Sequence, residues 1–177
     1  FGRIGRALAR RCLSFETKVY VYDPFIDISI IEENNCIPVD FDEGLHIADF
    51  ISVHMPLNKK TKNMIAKDQL KKMKKTCILV NTARGGIIKE QDLIWALINK
   101  KIYGAGTDVY EKEPPHNDNP LFKLDNIILT PHNAALTLEC KKRMAIETCE
   151  NIFHYLNDRS KLNVKNIING KKIGLEI

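Results

Sequence analysis

The sequence of 177 residues is long enough for one complete domain with a sizeable hydrophobic core, and its formal net charge is +5. A hydrophobic content of 44% and a charged content of 28% are typical of a soluble protein, and no apolar run approaches the ~20 residues of a membrane helix. Five widely spaced cysteines without a C-x-x-C pair argue against a zinc site or disulfide framework, and favour reduced thiols in the cytoplasm. Basic residues occur in short, scattered runs without interleaved aromatic residues, so we expect no nucleic-acid binding.

Short β-branched runs alternate with amphipathic stretches along the chain, which predicts a parallel sheet covered by helices. Predicted strands lie at Lys18–Asp23, around Ile37, and at Phe50–Pro56, Cys77–Ala83 and Asn126–His132, with the segment Tyr103–Tyr110 before the loop EKEPPHNDNP. Predicted helices lie at Arg6–Ser14, Lys67–Met73, Lys89–Lys101 and from about Thr137 to Asp158. The tail LNVKNIINGKKIGLEI does not continue this alternating pattern, and it predicts only a weak strand or a docking segment.

The opening stretch FGRIGR has two glycines, Gly2 and Gly5, spaced like the second and third glycines of a G-x-G-x-x-G turn. A dinucleotide fingerprint needs that turn, then a helix, then an acid about twenty residues further on at the end of the second strand. Asp23 ends the strand KVYVYD at this distance, although an Asp-Pro turn would look the same by itself. The register predicts a nucleotide-binding turn, and an acid at this place favours NAD over NADP because it repels a 2′-phosphate.

The glycine turn stands at the very start of the sequence. We therefore expect the chain to begin inside the first strand-to-helix turn of the domain, so that the central first strand of the sheet is missing. A sheet without its centre exposes two strand edges. The isolated 177 residues are expected to be poorly stable or to aggregate.

Three side chains that can carry chemistry follow the ends of successive predicted strands: Arg84, Glu113 and His132. Ligands of an open parallel sheet bind beyond the carboxyl ends of its strands, so we expect these three to converge. Arg84 can grip a carboxylate, His132 can exchange a proton with a carbonyl oxygen as hydride reaches the carbon, and Glu113 can orient the imidazole and favour its protonated form. Each residue alone also has a simpler interpretation: a solvated turn arginine, a loop glutamate and a strand-end histidine.

Six segments carry a resemblance to a known family: FGRIGR, VYDP, HMPLNKKTKNMI, VNTARGG, GAGTDVYEKEPP and TPHNA. Over about residues 1 to 160 the sequence resembles the D-isomer-specific 2-hydroxyacid dehydrogenases. That family couples NAD(H) to the interconversion of 2-oxo acids and D-2-hydroxy acids, with an Arg, a Glu and a His in catalysis. The resemblance implies Arg84, Glu113 and His132 as the catalytic residues and no metal. It implies the following cofactor contacts: Gly2, Arg3, Ile4, Asp23, His54, Pro56, Thr82, Ala83, Arg84, Asp108 and His132. His54 can equally be a polar strand end.

The implied fold is α/β, a Rossmann-like doubly wound parallel sheet lacking its first strand, with a C-terminal return helix to a mostly absent substrate domain. Residues 1–134 would form the NAD-binding domain, incomplete at its N-terminus, and residues 135–177 the crossover helix and the C-terminal part of the substrate domain. A homodimer is expected for the full-length protein. The substrate remains open among glyoxylate, hydroxypyruvate, pyruvate and 3-phosphohydroxypyruvate. Two alternatives are an NAD(H)-sensing, corepressor-like binding module and an inactive fragment.

Overall fold

The computed structural model describes residues 1–162 and residue 167. The chain divides into two compact units, Phe1–Asn133 and Ala134–Ile177, called here the first and the second unit. The predicted strand or docking segment of the tail lies outside the described residues, apart from Leu162 and Ile167.

The first unit alternates strands and helices along the chain. Its strands are β1 (Tyr20–Val21), β2 (Ile37–Pro38), β3 (Phe50–Val53), β4 (Ile78–Asn81), β5 (Gly104–Thr107) and β6 (Ile127–Leu129). Its helices are α1 (Arg3–Ser14), α2 (Ile28–Glu33), α3 (Phe41–Ile47), α4 (Lys67–Lys72) and α5 (Glu90–Ile98), with a short 3-10 turn at Pro120–Lys123.

Every strand pair of the first unit is parallel. Strands β3, β4, β5 and β6 form one sheet in that order, and β1 pairs with β2 in a separate two-stranded sheet. Among the described residues, β1 and β3 are each paired on one side only. The architecture is the α/β, Rossmann-like fold that the alternating pattern predicts.

The boundaries differ from the predicted ones in ways that short-range patterns do not capture. Helix α1 begins at Arg3, directly after Gly2, and not at Arg6. Only Tyr20–Val21 of the predicted strand KVYVYD pairs with a neighbour. Helices α2 and α3 are not predicted, although the equally short α4 is.

The main hydrophobic core packs the four-stranded sheet against its helices. Leu79 of β4, Leu70 of α4, Ala96 of α5 and Ile102 before β5 have no exposed surface at all. Burial of one large aliphatic side chain contributes about 1.5–3 kcal/mol, so this core holds the strands and the loops that follow them. A second, smaller cluster joins α1, β1 and α2.

Polar groups are rare in this interior. The buried polar or charged residues of the described chain are Asn81, Thr107, Asp108 and Asn119. The first three lie at the carboxyl ends of β4 and β5. A buried polar group is tolerated only when it is hydrogen-bonded. These residues therefore indicate an organised hydrogen-bond network at the carboxyl ends of β4 and β5.

The second unit consists of one long helix, α6 (Leu138–Asn157), and a 3-10 turn at Arg159–Lys161. The side chain of Thr137 caps α6 by accepting from the N–H of Cys140 at 3.1 Å. The predicted helix from about Thr137 to Asp158 is confirmed within one residue at each end. Within the part of the chain that the structure describes, no helix is long and apolar enough to cross a membrane.

Candidate active site

The glycine turn leads straight into α1. Gly2 is the N-cap residue of the helix, and a side chain built on it would meet no atom within 4 Å. The first N–H groups of a helix have no partner inside the helix and favour negative charge. Open space at Gly2 in front of such a helix end is what the close approach of a phosphate requires.

Asp23 follows β1 and lies beside this turn. Its carboxylate accepts from the N–H of Phe25 at 2.9 Å. A carboxylate that accepts from a backbone N–H therefore stands after β1, next to the glycine turn.

A cavity of about 490 Å³ opens where β3 and β4 end. Its lining consists of Ile4, His54, Met55, Pro56, Leu57, Thr82, Ala83 and Arg84. Six of these eight are cofactor residues predicted from the sequence. The other predicted cofactor residues lie outside the lining: Gly2, Arg3, Asp23, Asp108 and His132.

His54 lies at the wall of this cavity, directly after β3. Its Nε2 forms a hydrogen bond of 2.8 Å with the hydroxyl of Ser52. Burial lowers the pKa of His54. The imidazole is thereby biased toward its neutral form, which can both donate and accept a hydrogen bond.

The loop that carries Arg84 is held by a buried asparagine at the end of β4. The side-chain oxygen of Asn81 accepts from the N–H of Ala83 at 3.0 Å, and its amide donates to the carbonyl of Arg84 at 2.9 Å. The guanidinium of Arg84 is exposed and donates to the carbonyl of Ala83 at 2.6 Å. Asn81 thus fixes the backbone while the charged end of Arg84 stays accessible.

Glu113 and His132 are in direct contact. Oε2 of Glu113 lies 2.7 Å from Nδ1 of His132, and Oε1 accepts from the N–H of Tyr110 at 3.0 Å. The hydrogen bonds from His132 and from Tyr110 hold the pKa of Glu113 below its usual range, and the charge of Arg84 lowers it further. Among the described residues, no hydrogen bond engages Nε2 of His132, so that nitrogen remains available to a ligand.

Asp108 is almost completely buried at the end of β5. Its Oδ1 accepts from the hydroxyl of Thr130 at 2.5 Å and from the N–H of Asn133 at 2.8 Å. These two donors flank His132 in the chain. The described contacts of Asp108 therefore hold the segment that carries His132.

Three residues with structural roles at this site are not identified from the sequence: Asn81, Tyr110 and Thr130. Asn81 ends β4, Thr130 directly follows β6, and Tyr110 lies in the loop after β5. Each bonds to the backbone or side chain of a neighbouring loop. Their position in the sequence could have identified them, because a polar residue at or just after the end of an apolar strand is a candidate for holding the next loop.

The residues present fit a bound dinucleotide. Open space at Gly2, the carboxylate of Asp23 after β1 and a cavity at the ends of β3 and β4 are three separate features near the carboxyl ends of these strands. Together they match the places where a pyrophosphate, a ribose and the remaining part of such a molecule lie in doubly wound folds.

Comparison with known proteins agrees with this geometry. Residues 1–134 match the family described as D-isomer specific 2-hydroxyacid dehydrogenase, NAD binding domain. The chain is 44% identical over 168 residues to the D-3-phosphoglycerate dehydrogenase of Archaeoglobus fulgidus, covering 95% of this chain and 31% of that protein. It is 41% identical over 161 residues to the hydroxypyruvate reductase of Thermotoga maritima, covering 88% and 51%.

A solved structure with the same fold is the D-lactate dehydrogenase of Aquifex aeolicus, complexed with NAD and lactic acid. The TM-score is 0.85 at 31% identity, over 96% of this chain and 55% of that one. The chain spans between about a third and a half of the length of the curated relatives described above. It belongs to the D-isomer-specific 2-hydroxyacid dehydrogenase family, of which residues 1–134 are an NAD-binding domain.

Proposed function

We propose that the protein containing this chain is an NAD-dependent oxidoreductase that interconverts a small 2-oxo acid and the corresponding D-2-hydroxy acid. The observation that carries the proposal is the contact of 2.7 Å between Glu113 and His132, with Arg84 close enough to lower the pKa of Glu113. A cation, an acid/base group and a carboxylate that orients it are the groups that this reaction needs at one place.

Each of the three side chains has a separate role in the proposed mechanism. Arg84 binds the carboxylate of the substrate and polarises the neighbouring carbonyl. His132 donates a proton from Nε2 to the carbonyl oxygen during reduction and takes it back during oxidation. Glu113 accepts from Nδ1, which fixes the orientation of the ring and stabilises its protonated form. NAD(H), when bound, supplies or accepts the hydride.

The proposed cofactor site comprises the glycine turn, the end of β1 and the cavity wall. Gly2, Arg3 and Ile4 face the pyrophosphate, and Asp23 accepts from the ribose hydroxyls. The remaining contacts are assigned to His54, Pro56, Thr82, Ala83, Arg84, Asp108 and His132. The position of Asp23 after β1 supports NAD over NADP, because a 2′-phosphate would meet a carboxylate there.

The substrate belongs to the small 2-oxo acids, and two relatives support different members of that class. One is named D-3-phosphoglycerate dehydrogenase and the other hydroxypyruvate reductase. Residues 135–177 are proposed to contain the crossover helix and part of a substrate domain. We also propose a homodimer, which size-exclusion chromatography with light scattering would test. Five free cysteines support a reducing compartment, the cytoplasm.

The role of His132 is tested by His132→Ala in the complete gene product. We expect turnover to fall by at least ~10²-fold, the scale of general acid–base catalysis, while NADH binding by fluorescence titration stays within about threefold. His116→Ala is the matched control, since His116 is exposed and, within the described part of the chain, its ring nitrogen bonds only to Lys112. Turnover that survives His132→Ala would contradict the assignment.

A further inference from the structure

The Glu113–His132 pair is not held in place by burial. The side chain of His132 is 49% exposed and that of Glu113 is 37% exposed. A single ion pair between exposed side chains contributes little stabilising free energy, and forming it costs conformational entropy. The geometry of the pair must therefore come from the backbone segments that carry the two residues.

The segment that carries His132 is an irregular turn at the end of β6. His132 itself has a φ of 53°, in the left-handed region that non-glycine residues rarely occupy. A residue in this conformation persists only when the surrounding contacts over-determine it. Such contacts must act on the neighbours of His132, since its own side chain is half exposed.

Thr130 provides these contacts. Its N–H donates to the carbonyl of Thr107 at 3.1 Å, its carbonyl accepts from the hydroxyl of Tyr110 at 3.1 Å, and its hydroxyl donates to Asp108 at 2.5 Å. Asp108 and Tyr110 are both buried, so all three contacts reach the rigid interior of the first unit. The turn that holds His132 is thereby attached to the loop after β5.

That same loop holds the partner of His132. The N–H of Tyr110 donates to Oε1 of Glu113 at 3.0 Å, while Oε2 contacts His132. Both members of the pair are thus held by buried residues of the same loop. His132 is held through Thr130, which bonds to Asp108 and Tyr110, and Glu113 is held by the backbone of Tyr110. We propose that Thr130 is a positioning residue, whose hydroxyl sets the orientation of His132 toward Glu113 and toward the substrate.

This inference rests on the proposed function, because it assumes that His132 transfers the proton. The proposed positioning role requires the hydroxyl of Thr130. Valine has nearly the shape of threonine but cannot donate, so Thr130→Val leaves buried Asp108 without that hydrogen bond. Serine keeps the hydroxyl and loses only a methyl group, which makes Thr130→Ser the conservative rescue variant.

The test measures kcat and the KM for NADH in the complete gene product, for the wild type and for Thr130→Val, Thr130→Ser and His132→Ala. We expect Thr130→Val to lower kcat about tenfold or more, since small misplacements of a catalytic group are costly, and to leave the KM for NADH within about twofold. Thr130→Ser should recover most of kcat. The matched control is Thr17→Val, because the exposed hydroxyl of Thr17 donates, among the residues described, only to the carbonyl of Cys12.

Each outcome decides one point. Equal losses in Thr130→Val and Thr130→Ser, or a loss confined to the KM for NADH, would overturn the positioning role. If thermal unfolding shows that Thr130→Val does not fold, Tyr110→Phe replaces it, and an unchanged kcat there would also overturn the role. An inactive His132→Ala beside a fully active Thr130→Val would refute this inference alone. A wild-type protein without turnover would refute the proposed function and this inference with it.

Discussion

Glu113 and His132 are 19 residues apart in the chain, and the structure brings their side chains to 2.7 Å. The contact uses Nδ1 of the imidazole and so directs Nε2 away from the carboxylate. Since the loop after β5 and the end of β6 each contribute one member, the pair depends on the pairing of these two strands. A carboxylate in this place stabilises the protonated ring that the proposed reaction requires.

Replacing Glu113 by glutamine should therefore impair turnover without disrupting the fold. Glutamine has nearly the same shape but no charge with which to stabilise a protonated imidazole. We expect kcat to fall by about 10²-fold, with NADH binding unchanged. Glu111→Gln is the matched control in the same loop, because its amide oxygen can still accept from the N–H of Glu90. Equal effects of the two substitutions would argue against a specific role for Glu113.

The same pair predicts how stability responds to acid. The folded-state pKa of Glu113 lies below its usual value of 4.5, so its ionised form stabilises the folded protein above that pH. The contribution is lost as the pH falls through the lower, folded-state pKa. At pH 6 we expect Glu113→Gln to be less stable by about 0.5 kcal/mol, the scale of an exposed ion pair. Urea unfolding at pH 6 and pH 3 measures this, and a difference that grew toward pH 3 would have the wrong sign.

Gly85 is required by the close crossing of two loops. A methyl group on Gly85 would lie 1.8 Å from the carbonyl oxygen of Tyr110, a backbone atom that cannot move aside cheaply. We expect Gly85→Ala to destabilise the protein by about 3 kcal/mol or more, the upper range of overpacking. Gly106→Ala serves as the control, because its new methyl group would meet only Val80 at ordinary contact distance. Thermal unfolding of the two variants gives the answer, and equal melting temperatures would contradict the steric account.

Asp23 is predicted to set the preference for NAD. Asp23→Ser removes the negative charge at the end of β1 but keeps a small hydrogen-bonding side chain. The KM for NADH should rise and that for NADPH should fall, changing the preference by about tenfold, or ~1.4 kcal/mol. Steady-state kinetics with both cofactors measures the ratio. An unchanged ratio would show that Asp23 lies away from the ribose.

Cys77 should be chemically inert in the folded protein. Its side chain is fully buried, and burial together with the charge of Asp49 raises the pKa of the thiol to about 11. Since the thiolate is the reactive form, a thiol reagent at neutral pH should modify exposed Cys149 long before Cys77. Mass spectrometry of the labelled protein identifies the sites, and early labelling of Cys77 would contradict its burial.

The parts of the fold that follow from local patterns could be predicted from the sequence. The apolar run CILVNTA gives the buried strand β4, and the amphipathic run after Lys89 gives α5. The positions of Arg84, Glu113 and His132 after strand ends were also visible, and the structure places Glu113 beside His132. Their catalytic roles remain predictions.

The contacts that organise the site could not be predicted in the same way. Thr130 and Asp108 are 22 residues apart, and Tyr110 and Thr130 are 20 apart, so no local period connects them. Their pairing depends on the register between β5 and β6, which only the assembled sheet defines. The steric demand at Gly85 likewise arises from a loop that lies far from it in sequence.

The proposed reaction transfers hydride between NAD(H) and a small 2-oxo acid. The most direct measurement follows NADH oxidation by absorbance in the complete gene product, with glyoxylate, hydroxypyruvate, pyruvate and 3-phosphohydroxypyruvate in turn. We predict turnover with at least one of the four, yielding the D-hydroxy acid wherever the product is chiral. NADH binding without turnover of any of them would contradict the claim and favour a protein that senses the cofactor.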